Sequence, residues 1–338
     1  MNKRKAMSNK HVDHRHKKRA NTTEILTTPL NNLDSLIDIA KQNKRYQNID
    51  NITLQRILPS LIQLQQIIGM KELKDSIFYQ IIYYIQNLHK KTDDYLHTVI
   101  LGSPGAGKTT VAKIIGDIYS NLGILREHSF TIAKRGDLVG EYLGQTTIKT
   151  NKLLNKCIGG VLFIDEIYSL GPGTKDKKDS YSKEAIDALN IFLSEHKKDF
   201  CCIIAGYEQE VKDCFFSINP GLERRFPWVH KISKYSNNDL AKICLKQIKD
   251  INWNTTVSIY ELEQIVKENE SIFVNLGGSI ENLITRTKMS HAKRVFALDQ
   301  CHKFIITTQD IVNAIELMKE SMINQPEDNK KILNLMYS

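Results

Sequence analysis

The chain has 338 residues, a length that suggests about two domains and allows a substantial buried core without staples. Apolar residues make up 41% and charged residues 25% of the chain, with a formal net charge of +9, which excludes collagenous, disordered and membrane classes. The charged N-terminal stretch has no apolar secretory segment, and no run reaches the roughly 18 apolar residues of a membrane helix, so we expect an intracellular protein without membrane contact.

The excess positive charge lies in the first twenty residues. They hold eight basic residues against Asp13 alone, a local charge of +7, and the remaining 318 residues carry only +2. Because this stretch has no apolar periodicity, we predict a disordered basic tail at residues 1–24. A plain solvated tail is the first interpretation. The basic groups in residues 3–19 also match a bipartite nuclear import signal or a nucleic-acid contact. We therefore expect the cytoplasm by default and keep the nucleus as the alternative location.

Helical periodicity follows the tail. An apolar stripe runs through Leu33–Ala40, and a second apolar run surrounds Pro59, which is expected to break or restart a helix. Residues 25–66 are therefore predicted to form a small helical segment. Another amphipathic stripe, Leu73–Leu88, precedes a polar break at Lys90–Asp94.

The pattern then alternates between short apolar runs and helical stripes. The runs are His97–Leu101, Ser129–Ala133, Val161–Ile164, Cys201–Ala205 and Trp228–Ile232. Strands separated by helices predict an α/β domain at residues 67–232, with a parallel sheet covered by helices on both faces.

No comparable strand series follows Ser233. Helical stripes there predict an all-helical domain at residues 233–324, ahead of a C-terminal tail at 325–338. Within the α/β domain, Gly171–Ser180 is rich in glycine and charge and predicts a flexible surface loop. The six cysteines form no C-x-x-C pair and mostly fall within apolar runs, so we expect reduced core residues.

A glycine-rich segment directly follows the first predicted strand. It reads Gly102-Ser103-Pro104-Gly105-Ala106-Gly107-Lys108-Thr109-Thr110 and meets the pattern G-x-x-x-x-G-K-[ST]. Chance would produce this pattern in on the order of 1% of chains this long, which disfavours a plain turn with a surface lysine. The glycines let backbone N–H groups face phosphates, Lys108 reaches the β- and γ-phosphates, and Thr109 ligates Mg²⁺. The segment predicts a nucleoside triphosphate site.

Two carboxylates, Asp165 and Glu166, follow the buried run Val161–Ile164. Alone, an apolar run ending in Asp-Glu is a common strand end. Beside a phosphate loop, Asp165 is the expected partner of Mg²⁺, and Glu166 is the base or positioner for an attacking water. The pair favours hydrolysis over nucleotide binding alone.

Two arginines, Arg224 and Arg225, precede the last predicted strand. Such pairs are more often solvated surface features. Hydrolysis at a site between subunits, however, needs a cation near the γ-phosphoryl group, and an arginine finger contributes about 10³–10⁵ in rate. We assign the catalytic role to Arg225, with Arg224 as the second choice.

Taken together, these motifs resemble those of the AAA+ ATPases, within them the group of CbbX and stage V sporulation protein K. The resemblance extends over about Ile67–Met318. It rests on Ile68-Gly69-Met70, Gly102–Thr110, Asp137–Thr146, Gly159–Leu170, Lys183–Asp187, Ile204–Tyr207 and Asn219–Leu222.

The resemblance implies a P-loop AAA+ core with a parallel five-stranded sheet, followed by a small helical lid. ATP and Mg²⁺ would lie between the two, with Ile68 and Gly69 joining the phosphate loop as binding residues. Subunits would form a ring, taken as a hexamer, in which Arg225 serves the neighbouring site. Tyr207 falls at the catalytic sensor position after the fourth strand, where its hydroxyl would orient water or only cap the strand.

In the same resemblance, Tyr142 falls with Leu143 and Gly144 in a central-pore loop that grips a protein substrate. A packed aromatic beside a turn fits Tyr142 equally well. Glu223 departs from the group because its position is often basic.

The lid carries a second departure. Gly278 occupies the position at which the group has an arginine that senses the phosphates. That sensor is therefore absent here or replaced by Arg286 or Lys288.

The leading hypothesis is an Mg²⁺-dependent AAA+ ATPase that remodels a protein partner through a ring pore. A nucleic-acid-associated ATPase, such as a loader or accessory factor, is the alternative that the basic tail supports. A nucleotide-gated scaffold with little hydrolysis is a third reading, which the Asp165–Glu166 pair disfavours.

Overall fold

The structure describes most of the chain. The computed structural model describes residues 25–27, 29–42, 44–92, 94–142, 144–171 and 180–323. The predicted tails at 1–24 and 325–338 and most of the predicted Gly171–Ser180 loop lie outside these residues. Within the described residues, no helix combines the length and apolar content that a bilayer crossing requires.

Helices α1 (Leu33–Lys41) and α2 (Asn51–Gln65) form the N-terminal segment. Contrary to the predicted break, α2 continues through Pro59. Pro59 lies on the exposed side, where water can solvate the carbonyl group that loses its donor. Burial of Leu54, Ile57, Leu61 and Leu64 contributes about 1.5–3 kcal/mol per side chain and offsets the proline's cost of about 3 kcal/mol.

Five parallel strands form one sheet in the order β2-β3-β4-β1-β5. In chain order they are β1 (Thr98–Leu101), β2 (Phe130–Ala133), β3 (Val161–Ile164), β4 (Cys201–Gly206) and β5 (Trp228–Lys231). In the register, Thr98 lies opposite Ile203 on one side and Trp228 on the other. The predicted α/β class and the five strands are confirmed.

Alternate strand residues enter two cores, one on each face of the sheet. On β1, Ile100 packs into one core and Val99 and Leu101 into the other. The first face is covered by the N-terminal segment with α3 (Lys71–Ile85) and α4 (Lys108–Asn121), and the second by α6 (Thr146–Lys156) and α7 (Ser180–Glu195). Both faces are thus buried, as parallel strands require.

Three short helices connect these elements. They are α5 (Arg135–Leu138), α8 (Glu208–Glu210) and α9 (Pro220–Glu223). Helix α8 begins the connection that leaves the carboxyl end of β4, and α9 ends the same connection just before β5.

The C-terminal domain, the lid, has four helices: α10 (Asn237–Asp250), α11 (Ile259–Glu268), α12 (Gly277–Val295) and α13 (Thr308–Ile323). It also contains a two-stranded parallel pair, β6 (Asn254–Thr255) and β7 (Ile305–Ile306), in addition to the predicted helices. Two-residue strands are too short to produce a visible alternation in sequence.

A buried charge network joins α12 to α13. The carboxylate of Asp310 is fully buried and accepts hydrogen bonds from Arg294 Nε at 2.8 Å and from the Thr307 N–H at 3.0 Å. His291 Nδ1 lies 3.1 Å from the same carboxylate. Burial alone would raise the pKa of Asp310, but these hydrogen bonds outweigh it and lower the pKa to about 2.

The lid meets the core through glycine backbones. A Cβ on Gly105 would lie 2.5 Å from the Asn275 carbonyl oxygen, and a Cβ on Gly277 would lie 2.6 Å from the Gly105 carbonyl oxygen. A Cβ on Gly278 would have no atom closer than 3.9 Å. The first turn of α12 therefore rests directly on the turn between β1 and α4.

The cysteine prediction holds in part. All six cysteines are free, and Cys157, Cys201, Cys202 and Cys244 are buried. Cys214 is half-buried, and Cys301 is exposed, contrary to the core assignment. Cys301 falls in a one-turn 3-10 helix after α12, Gln300–His302, which has no buried residue.

Asp310→Asn should weaken the lid and change its acid response. Loss of one partner from a buried charge pair costs about 3–5 kcal/mol at neutral pH. Because the pKa in the folded protein is below the unfolded value, Asp310 stabilises the fold above about pH 4, and this contribution is lost as the pH falls towards 2. Urea unfolding at several pH values measures both effects. Glu316→Gln, an exposed site on the same helix, is the control, and an equal response of both variants would contradict the network's role.

Gly277→Ala and Gly278→Ala should differ although both add one methyl group. The first places Cβ against backbone and should cost about 1–3 kcal/mol, while the second makes only ordinary van der Waals contacts at 3.9 Å. Thermal unfolding and hydrogen exchange at the start of α12 would measure the difference. Equal stability of the two variants would show that the lid does not rest on Gly105 in solution.

Candidate active site

The glycine-rich turn ends β1 and begins α4, as predicted. The Gly102 N–H donates to the Gly206 carbonyl at 3.1 Å, which extends the β1–β4 ladder by one bond. Gly105 and Gly107 have φ angles of +67° and +87°, a left-handed backbone that glycine adopts without strain. No side chain caps α4 at Gly107, so the first N–H groups of the helix are available to an anion.

Lys108 lies across this turn. Its Nζ donates to the carbonyl oxygens of Gly102 at 3.1 Å and Ser103 at 3.0 Å, and lies 5.5 Å from the centre of the Tyr207 ring. Burial lowers the pKa of Lys108, while Asp165 and Glu166 act in the opposite direction. The ammonium group is thus placed between the turn and the two acids that sequence analysis assigned to the same site.

Strand order brings the acids to the turn. Asp165 and Glu166 follow β3, and Tyr207 follows β4, which lies between β3 and β1. The Glu166 N–H donates to Asp165 Oδ1 at 3.0 Å. Glu166 has a φ angle of 51°, so the chain turns sharply at the strand end and leaves the Glu166 side chain exposed.

A second tyrosine joins this group. The rings of Tyr168 and Tyr207 lie 5.5 Å apart, and the Tyr168 hydroxyl lies within electrostatic range of the Glu166 carboxylate. Burial, and then the charge of Glu166, raises the pKa of Tyr168 well above its usual value, so the hydroxyl remains a donor at neutral pH. Glu210 lies nearby with a buried, unpaired Oε2, and burial raises its pKa, as does the charge of Glu166.

A cavity of about 250 Å³ adjoins the turn. The linker before α3, the phosphate loop and the lid each contribute to its wall. Its residues are Ile67, Ile68, Met70, Gly105, Gly107, Thr110, Tyr235, Ile243, Lys246, Gln247, Asp250, Gly277 and Glu281. Gly69, a predicted nucleotide-binding residue, lies beside this cavity with a left-handed backbone conformation, next to Asp239. The Tyr235 hydroxyl donates to the Ala106 carbonyl at 3.1 Å. The cavity thus lies between apolar linker residues and the lid, beside the phosphate loop.

The predicted Mg²⁺ residues fit a cation shared with a nucleotide. No three His, Cys, Asp or Glu side chains of the described residues come together as a metal cluster. Mg²⁺ commonly takes one or two protein oxygens and completes its octahedron with phosphates and water. Asp165 after β3 and Thr109 in the first turn of α4 provide that oxygen pair at one edge of the sheet.

Arg225 lies at the opposite edge of the sheet. It precedes β5, whose first residue Trp228 pairs with Thr98 at the start of β1, whereas the phosphate loop follows the end of β1. A four-residue strand spans about 13 Å. Arg225 Nε donates to Ser194 Oγ at 2.8 Å and a terminal nitrogen donates to the Gly221 carbonyl. Arg225 is therefore not brought to its own chain's phosphate loop, and Arg224 beside it is exposed.

The lid offers no arginine to the cavity. Arg286 hydrogen-bonds Ser321 on α13, and neither Arg286 nor Lys288 lines the cavity beside Gly105. The lid cation that does line it is Lys246. Lys246, Tyr235 and Tyr168 were not among the predicted site residues. An aromatic residue within the polar linker after β5 was the available signal for Tyr235, whereas Lys246 looks like any surface lysine of a helix.

This fold and site match a known family. The family model described as "ATPase family associated with various cellular activities (AAA)" matches residues 98–233. A cfxQ-like protein, R730, of Acanthamoeba polyphaga mimivirus is 34% identical over 312 residues, which cover 90% of this chain and 76% of the relative. Stage V sporulation protein K of Bacillus subtilis (strain 168) is 35% identical over 263 residues, which cover 74% of this chain and 80% of the relative.

Further matches agree. The chloroplastic ribulose bisphosphate carboxylase/oxygenase activase of Cyanidioschyzon merolae (strain NIES-3377 / 10D) is 30% identical over 259 residues, covering 74% of this chain and 83% of the relative. The crystal structure of the FIGL-1 AAA domain in complex with ADP has a TM-score of 0.53 at 15% identity, covers 75% of this chain and 83% of that one, and shows the shared fold. The chain therefore belongs to the AAA ATPase family, in the group of the cfxQ-like and stage V sporulation K proteins, and is an ATP-hydrolysing enzyme.

Proposed function

We propose that the protein is an Mg²⁺-dependent, ring-forming ATPase that couples ATP hydrolysis to the remodelling of a protein partner. The observation that carries this proposal is the exposure of Tyr142, whose side chain is 67% accessible. A packed aromatic beside a turn, the other reading of Tyr142, would be largely buried. One relative is named as an activase of ribulose bisphosphate carboxylase/oxygenase, which is itself a protein. This name supports a protein as the class of partner.

The segment that carries Tyr142 is held at its base. The Gly140 N–H donates to Thr146 Oγ1 at 3.1 Å, and the Gln145 N–H donates to the Tyr142 carbonyl at 3.2 Å. Lys149 Nζ donates to the Val139 carbonyl at 3.1 Å. An exposed aromatic ring on an anchored turn can press on a polypeptide without losing its own position, which suits mechanical work.

The site residues divide the hydrolysis between them. On nucleotide binding, Lys108 exchanges the carbonyl oxygens of Gly102 and Ser103 for phosphate oxygens of ATP. Thr109 and Asp165 would hold an Mg²⁺ ion, which would neutralise charge at the phosphates. Glu166 orients the attacking water and takes its proton, and Tyr168 lies close to the Glu166 carboxylate.

The place of Arg225 supports the ring. A cation at the γ-phosphoryl group is needed for fast hydrolysis, and the chain's own Arg225 is at the far edge of the sheet. A head-to-tail neighbour can bring its Arg225 to this site, and head-to-tail contacts form a ring when the rotation between subunits closes. We propose a hexamer on the resemblance alone.

Mixing two inactive variants tests the shared site. Glu166→Gln should retain ATP binding and lose turnover, and Arg225→Ala should also lose turnover. An equimolar mixture should regain activity, because about one interface in four then joins an intact Glu166 to an intact Arg225. Steady-state phosphate release measures this. No recovery in mixtures that form full-size assemblies would contradict a finger supplied by the neighbour.

Tyr142→Ala should spare basal ATP hydrolysis and remove its stimulation by an unfolded polypeptide such as carboxymethylated casein. The exposed ring contacts substrate rather than nucleotide, so only coupled work is lost. Tyr260→Ala is the matched control, since Tyr260 on α11 is 68% accessible and lies in the lid. Equal stimulation of the two variants would contradict the role of Tyr142.

A further inference from the structure

A lysine near the start of α3 holds the linker between α2 and α3, residues 66–70. Lys74 is the fourth residue of α3, and its Nζ donates hydrogen bonds to the carbonyl oxygens of Gln65 at 3.0 Å and Ile67 at 2.5 Å. Gln65 is the last residue of α2, so its carbonyl is among those that a helix end leaves without an internal partner. One side chain of α3 therefore closes the end of α2 and holds the first part of the linker.

The surroundings of Lys74 come from both sides of the linker. The side chain is half-buried, and burial lowers its pKa, while the charges of Asp34 on α1 and Asp239 on α10 act in the opposite direction. Gln65 Nε2 donates to Asp34 Oδ1 at 2.5 Å. The N-terminal segment and the lid thus each supply a carboxylate that favours the charged form of Lys74.

The linker turns sharply just before α3. Gly69 and Met70 both have a left-handed backbone, with φ angles of +67° and +53°. A methionine rarely adopts this conformation, and keeps it only where its surroundings fix it. Met70 is buried, and the Lys74 N–H donates to its carbonyl oxygen at 3.0 Å. Lys74 therefore contacts the linker twice, through its side chain at Ile67 and through its backbone at Met70.

The same linker forms part of the wall of the cavity beside the phosphate loop. Ile67, Ile68 and Met70 line this cavity together with lid residues such as Ile243. Apolar walls beside a phosphate-binding turn suit the base of a nucleotide whose phosphates occupy the turn. A shift of the linker would therefore change the surroundings of the base and leave the turn that faces the phosphates in place.

We propose that Lys74 is a positioning residue for nucleotide binding, which acts on the base through the linker and does not touch the nucleotide. Among the described residues that line the cavity, Lys74 is absent, whereas the linker residues that it holds are present. Its two side-chain bonds fix Ile67 relative to α2 and α3, and thereby fix the neighbouring Ile68 as a wall for the base. This role rests on the ATP binding that the proposed function uses, but needs neither a ring nor a protein partner.

Two single variants of the full chain test this role. Lys74→Met keeps the length of the side chain and removes its donors, and Lys71→Met is the matched control because Lys71 is exposed in the same turn of α3. Displacement of a fluorescent ADP analogue by ADP or by pyrophosphate, both with Mg²⁺, measures affinity with and without the base. Lys74→Met should bind ADP about tenfold more weakly, the scale of one lost hydrogen bond to a charged group, and should bind pyrophosphate like wild type. Lys71→Met should match wild type for both.

Steady-state kinetics provide a second readout. Lys74→Met should raise the KM for ATP and leave kcat unchanged, because Lys108, Asp165 and Glu166 stay in place. Lys74→Arg, which keeps the charge and the donors, should recover most of the ADP affinity.

Equal loss of ADP and pyrophosphate affinity in Lys74→Met would overturn the proposal, because the phosphate loop or the whole fold would then be damaged. Identical ADP affinities of Lys74→Met and Lys71→Met would also overturn it, as would a fall in kcat at constant KM. A wild-type chain that forms no ring or acts on no protein would leave this comparison unchanged, and that outcome would count against the proposed function alone.

Discussion

The position of β4 between β1 and β3 is the constraint on which the active site depends. In a parallel sheet, all carboxyl ends meet at one edge, so neighbouring strands bring their following residues together. The register of β4 with β1 and β3 places Tyr207 between the phosphate loop and the Asp165–Glu166 pair. These residues are spread over about a hundred positions in sequence. The order of the strands is what brings them close together. The chemistry follows from the strand order.

Local patterns predicted most of the α/β core because its signals are local. Each apolar run became a strand, and the glycine-rich segment became the turn before α4 because only glycine suits the positive φ angles at positions 105 and 107. Pro59 was misjudged for a tertiary reason, since burial on the other side of α2 outweighs the missing hydrogen bond. Cys301 was misjudged because composition does not reveal which turn is left uncovered.

The sequence predicted those residues of the candidate active site whose motifs have a known chemical role. Lys108, Thr109, Asp165 and Glu166 have fixed roles in phosphate chemistry, and the fold brings them to one edge. Tyr168 and Lys246 were missed because their importance arises only from contacts between distant segments, and such contacts leave no spacing pattern. Arg286 failed as a candidate for the same reason, because its hydrogen bond to Ser321 turns it to α13.

The absence of an arginine at position 278 and the close contact between Gly105 and Gly277 are linked. An arginine at position 278 would supply a long side chain to the phosphates, whereas here the backbone of α12 itself rests on Gly105. Close backbone approach is available only where neither partner has a Cβ in the way, and Gly105 and Gly277 both meet that condition. The phosphate loop and the lid therefore touch here through their backbones rather than through a long side chain.

The surroundings of Arg225 suit a cation that acts on a neighbouring subunit. Its bonds to Ser194 and Gly221 order the guanidinium group within the single chain, which would reduce the entropy lost if the proposed ring assembles. His97, buried nearby, has its pKa lowered to about 3 by burial and further by Arg225 itself, so it is neutral at physiological pH. His97 therefore adds no second positive charge beside Arg225, the arginine that the proposed ring would present to the adjacent subunit.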